Sequence, residues 1–83
     1  MKVTYTRETR AARRDKWLEM ERKTYEAHEF NSLVERAEGW LKLDKNMFGM
    51  NTRVHRQPGM WQETATNPRN GAGHRFTIKL TNN

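Results

Sequence analysis

The sequence predicts a small α+β domain, with two helices packed on one face of an antiparallel sheet, in the order β-α-α-β-β-β. Three observations carry this. Residues 7–43 contain no proline and one glycine, Gly39, and their apolar residues recur at helical spacing. Residues 52–81 hold both prolines, three glycines and several alternating stretches. Residues 1–6 alternate as well. Runs of helix set apart from runs of strand favour helices packed on an antiparallel sheet.

The elements follow in order. In Lys2–Thr6, Val3 and Tyr5 point one way and Lys2, Thr4 and Thr6 the other, as in a short strand. Thr6 or Thr9 then caps a helix running to about Glu29. Its polar side holds Asp15, Lys16, Glu19, Arg22, Lys23 and Glu26. Its apolar arc, with Trp17, Leu18 and Met20, is broken by a polar row of Arg14, Glu21 and His28. Ser32 with Glu35 has capping-box spacing and opens a second helix, to about Leu43. Leu33, Val34, Ala37, Trp40 and Leu41 share one arc of it and are the expected core stripe.

Thr52–Gln57 reads as a strand. Pro58-Gly59 suits the centre of a type II turn, and Met60–Thr66 returns as the hairpin partner, with 57 opposite 60 and 55 opposite 62. Residues 67–73 (Asn-Pro-Arg-Asn-Gly-Ala-Gly) form a loop. His74–Thr81 alternates, with Phe76, Ile78 and Leu80 inward and Arg75, Thr77 and Lys79 outward. It is the natural partner for Val3 and Tyr5. The chain thus reads as one small basic domain over 1–83: a strand at 1–6, a helical part at 7–43, and sheet and loops at 52–81.

Leu, Ile, Val and Phe total twelve of the 83 residues, so the core is thin and leans on Trp, Tyr and Met. There is no cysteine, so neither a disulfide framework nor a thiolate zinc site is available. His28, His55 and His74 have no paired spacing, which argues against any metal or other cofactor. No apolar run is long enough for a bilayer, and residues 1–7 lack the apolar stretch of a secretion signal. The cytoplasm is the default location.

Charge is the functional signal. Residues 46–83 hold five basic side chains (Arg53, Arg56, Arg69, Arg75 and Lys79) against the single acid Glu63. Residues 1–45 hold eleven basic and nine acidic residues, with Arg7, Arg10, Arg13, Arg14 and Lys16 clustered early. Cations at a helix start oppose the macrodipole, so a polyanion or an acidic partner explains them better than stability does. A solvated charge run is the plain alternative. Gly71 and Gly73 free backbone N–H groups between Arg69 and Arg75, although no P-loop ending follows. Trp61, behind Pro58-Gly59-Met60, either stacks on a base or a partner surface, or folds into the core.

The expected function is therefore a small non-enzymatic binding protein. It contacts nucleic acid through a cationic sheet face (Arg53, Arg56, Arg75, Lys79), the 67–73 loop and the Arg-rich segment of Arg7, Arg10, Arg13 and Arg14, with Trp61 as a stacking candidate. The alternative is a small regulator or inhibitor docking on an acidic protein surface. A third reading is a ribonuclease: the coarse element order and basic balance resemble bacterial ribosome-dependent mRNase toxins, without a shared residue motif. In that reading His55 and Glu63 exchange protons while Arg53 or Arg56 stabilises the phosphate. The plain reading of Glu63 is a cross-strand ion pair with Arg53 or Arg56.

Overall fold

The computed structural model describes residues 1–82. They form five strands and one α-helix: β1 (Lys2–Arg10), β2 (Leu18–Glu26), a single 3-10 turn (Ala27–Glu29), α1 (Phe30–Phe48), β3 (Asn51–Gln57), β4 (Met60–Thr66) and β5 (Gly73–Thr81). The strands make one sheet in the order β2-β1-β5-β4-β3, with every neighbouring pair antiparallel. The α+β class is as expected, but the order is β-β-α-β-β-β with one α-helix, not two. The element order shared with the ribosome-dependent toxins does not survive this.

The expected first helix is absent. β1 runs on to Arg10, because its 2–10 segment pairs along its whole length with β5, from Lys2 opposite Thr81 to Arg10 opposite Gly73. That leaves its other edge free, and Leu18–Glu26 folds back to fill it. A helix there would have buried a stripe interrupted by charge. As a strand, the segment turns Tyr25 towards the core while its charged residues stay at the sheet margin. The register slips between Arg7 and Glu8, so Arg7 faces Glu21 while Glu8 faces Glu19, leaving Met20 as a bulge. This bulged, charged strand protects one edge of the sheet.

The expected second helix is present but longer at both ends. Ser32 lies inside it and donates to the Glu29 carbonyl, 3.0 Å away. The entry is tied further back, where the Glu29 carboxylate accepts the Glu26 backbone N–H at 2.9 Å. Gly49 closes the helix by donating its N–H to Lys45 O. Leu33, Ala37 and Leu41, four apart, are buried on the sheet, with Phe30 and Val34 beside them. Trp40 is not core: it is 61% exposed, because the buried face is centred one flank away.

The second half agrees with expectation. β3 and β4 form the hairpin around Pro58-Gly59, with Gly59 at φ 73°, Gln57 opposite Met60 and His55 opposite Gln62. β5 pairs Leu80 with Val3 and Ile78 with Tyr5. The core is Val3, Leu33, Ala37, Leu41, Met50, Trp61, Ala65, Phe76 and Ile78. α1 lies over β5, β4 and β3. One helix about 10 Å wide does not span five strands at ~4.8 Å spacing. The helix-side faces of β1 and β2 are therefore partly bare, and among the described residues no helix lies on the opposite face of the sheet.

Candidate functional site

Strand alternation assigns each side chain to one face. On β5, Phe76, Ile78 and Leu80 face α1, so Arg75, Thr77 and Lys79 face away. Pairing extends this across the sheet. The open face receives Arg10, Glu8, Thr6 and Thr4 from β1, Arg53 and His55 from β3, and Gln62, Thr64 and Thr66 from β4. Threonines dominate its centre, as expected of β-branched residues on a pleated surface, and Gln62 Nε2 donates to Thr77 Oγ1 at 2.9 Å.

The charges divide unevenly between the two sides. The open face and the loops at its end hold ten basic residues: Lys2, Arg10, Arg13, Arg14, Lys16, Arg22, Arg53, Arg69, Arg75 and Lys79. They hold four acids: Glu8, Asp15, Glu19 and Glu26. The remaining six basic and six acidic residues belong to the helix side. The helix side is therefore neutral, and the formal charge of +6 lies on the open face and the loops at its end. Three of the four acids are already matched there, Glu26 by Lys2, Glu19 by Arg22 and Glu8 by Arg75. The bond from Lys2 holds the Glu26 carboxyl below its ordinary range. Among the described residues, seven cations on this side have no carboxylate partner, and Asp15 is the one acid left to oppose them.

All of these cations but Lys79 gather at one end, where two loops dock. The Arg13 backbone N–H donates to Asn70 O at 2.8 Å, and Arg10 Nε donates to Gly71 O at 2.8 Å. The β4–β5 loop holds its own shape through Asn67 and Asn70, whose side-chain oxygens accept the N–H groups of Arg69 and Ala72, each at 2.9 Å. Gly71, at φ 77°, lies so close to Arg13 that a Cβ would meet its Cα at 2.8 Å. The Arg-rich segment and the 67–73 loop, joined by bonds between residues 55 or more apart in sequence, thus make one surface.

Trp17 sits at the centre of this surface. The Arg10 and Arg75 guanidinium carbons lie 4.5 and 4.7 Å from its ring centroid. Arg75 is also clamped by both Glu8 oxygens, at 2.8 and 3.0 Å. The indole therefore fixes two arginine heads. Beside it, Arg53, Asn51, Thr64 and Thr66 complete a shallow basin of about 430 Å³.

Of the site residues expected from sequence, Arg10, Arg53, Arg75 and Lys79 lie on the open face and Arg13, Arg14 and Arg69 in the adjoining loops. Arg7 and Arg56 lie on the helix side, opposite Phe76 and Trp61. Trp61 is 2% exposed and belongs to the core, and among the described residues its indole N–H lacks a partner. His55 and Glu63 are not brought together: His55 faces Gln62 on the open side, while Glu63 is buried under α1. The expected Glu–His–Arg cluster is therefore not formed. Among the described residues no group of His, Asp and Glu has metal-binding geometry, and no helix is long and apolar enough to cross a membrane. Lys16 and Trp17 are the residues a reading of this segment as helix assigns no shared surface with the 67–73 loop; the unopposed cation and the lone aromatic of that segment were the available signal.

The helix side carries a second feature. A groove of about 420 Å³ runs between α1 and the bare strands, floored by Tyr5, Tyr25 and Phe76 and walled by Arg36, Trp40 and Asp44. Tyr5 packs edge-on to Tyr25 at 6.4 Å. Burial, and then the Glu21 carboxylate, push the Tyr5 hydroxyl above its ordinary pKa. Along the same flank of α1, Trp40, Leu43 and Met47 are each at least 59% exposed. No protein-family model, curated protein or solved structure matches the chain.

Proposed function

We propose that this protein binds nucleic acid through the open sheet face and its two docked loops. One observation carries the reading: the helix side is neutral, and the net charge of +6 lies on the uncovered face of the sheet and the loops at its end. Stability does not call for this arrangement, since like charges held together repel. A polyanion reverses that cost and releases its counterions on binding. Arg10 and Arg75 are fixed before any partner arrives, so less side-chain entropy is lost on contact.

The test uses two arginines on one strand. Arg53 and Arg56 are three residues apart on β3 and so face opposite sides. Arg53→Ala should weaken binding and make the slope of log K against log salt shallower by about one. Arg56→Ala should leave both unchanged. With about six phosphate contacts the wild-type slope on duplex is about −5. Fluorescence anisotropy at several salt concentrations reads all three. Absence of binding at ~50 mM salt, or equal effects of the two substitutions, would remove the proposal.

A second reading rests on the exposed flank of α1. A contiguous apolar row of Trp40, Leu43 and Met47 marks a contact surface for a protein partner, as in a small regulator. Capture from lysate with and without nuclease separates the two: a partner retained after digestion and lost on Leu43→Glu supports the regulator.

A further inference from the structure

Resting on the interface proposed above, we infer that its ligand is a double helix, gripped by the phosphate backbone and not read through its bases. The observation is where the aromatic rings lie. The chain has eight: three Trp, two Tyr and three Phe. Tyr5, Tyr25, Trp61 and Phe76 point to the helix side of the sheet; Phe30, Trp40 and Phe48 are carried by α1. Of these only Trp17 belongs to the open face, where its ring is taken up by the guanidinium groups of Arg10 and Arg75, and the one further ring there is the small imidazole of His55 on the edge strand β3.

A surface that holds single strands uses rings on which unpaired bases stack, and such stacking supplies much of the affinity. This face offers cations, threonines and amides in their place. Those groups meet phosphate and sugar oxygens, which position a nucleic acid without specifying its sequence. For a surface that works by charge, the denser polyanion wins. A duplex carries one charge per ~1.7 Å of axis and releases more counterion per contact than a single strand. Trp17 acts here as a positioning residue that spaces two arginines across the sheet.

The experiment compares one 20-nucleotide sequence as a single strand, as a DNA duplex and as an RNA duplex, by anisotropy at ~50 mM salt with the full chain. The expected result is about tenfold tighter binding to a duplex, with slopes near −5 for duplex and −4 for single strand. AT-rich and GC-rich duplexes should bind within about threefold of each other. Preference for either duplex supports the inference, and the comparison tells which helix is held. Equal or tighter binding to the single strand would overturn the duplex assignment and leave the interface standing. Binding to none of the three would remove the interface and this inference together.

Discussion

Replacing Gly71 by alanine tests the joint on which the cationic end depends. Gly71 stands at φ 77°, where an L-residue costs roughly 1–2 kcal/mol. Its new Cβ would lie 2.6, 2.8 and 2.9 Å from Arg13 Cβ, Cα and N. Two of these are backbone atoms that cannot swing aside, so the loops must part. Parting breaks the bond from Arg13 N–H to Asn70 O and the bond from Arg10 Nε to Gly71 O. At about 1 kcal/mol net for each, added to the backbone cost, the total is roughly 3–4 kcal/mol. A domain of this size holds on the order of 4–12 kcal/mol, so the loss is a large and measurable share of the total. Urea denaturation followed by tryptophan fluorescence gives the stability. Anisotropy on the same protein should show weaker nucleic-acid binding, since Arg13, Arg14 and Arg69 lose their common mount. Gly39→Ala is the control of opposite sign: nothing lies within 4 Å of a Cβ there, and the helix should gain about 1 kcal/mol. If Gly71→Ala stays within ~0.5 kcal/mol of wild type with an unchanged m-value, the loops are not docked as described.

How much of this was legible follows from the range of the forces involved. β5 and the β3–β4 hairpin were readable because their signals are local: clean alternation, and a Pro-Gly turn that sets the register residue by residue. α1 was readable from its four-apart stripe. β2 was not. Arg, Glu, Lys, Leu and Met have good helix propensity, and nothing within 11–29 records that a free edge of β1 waits upstream. The broken apolar arc was the one local warning. Trp40 shows a similar limit. An arc of about 120° contains it, yet which edge of that arc meets the sheet depends on where β5, β4 and β3 lie.

For the site, the arginines were legible and their joint surface was not. That Arg13 meets Asn70 and that Trp17 collects Arg10 and Arg75 are consequences of the β1–β2 turn, which the helix expectation hides. The division between faces was partly available. Residues 53 and 56 on one strand differ by an odd number and must point apart, which already separates Arg56 from Arg53. The same parity separates His55 from Glu63, since 55 lies opposite 62 and the neighbour of 62 faces the other way.

The remaining predictions concern the helix side. Trp61→Ala should cost roughly 3–5 kcal/mol, because the ring is buried in the core. Trp40→Ala should change stability by less than about 1 kcal/mol, since the ring is mostly exposed; chemical denaturation of the pair reads the ranking, and a reversed order would misplace α1. Glu63 is buried between β4 and α1. Burial first, and the Glu38 carboxylate second, push its pKa above the ordinary value, against a weaker pull from Arg56 and Lys45. A folded pKa above the unfolded one means that the folded state binds the proton more tightly. This group therefore favours folding most at low pH, and that contribution is lost as pH rises from about 4 through the folded value. Above the window the buried charge opposes folding in full. Glu63→Gln, which stays neutral, should then be more stable than wild type at pH 7, with the gap closing as pH falls through the folded value and closed below about 4. Urea midpoints of both proteins across pH 3.5–8 measure this. A gap that is constant with pH would mean that Glu63 is solvated in the folded protein and that the β4–α1 contact is looser than described.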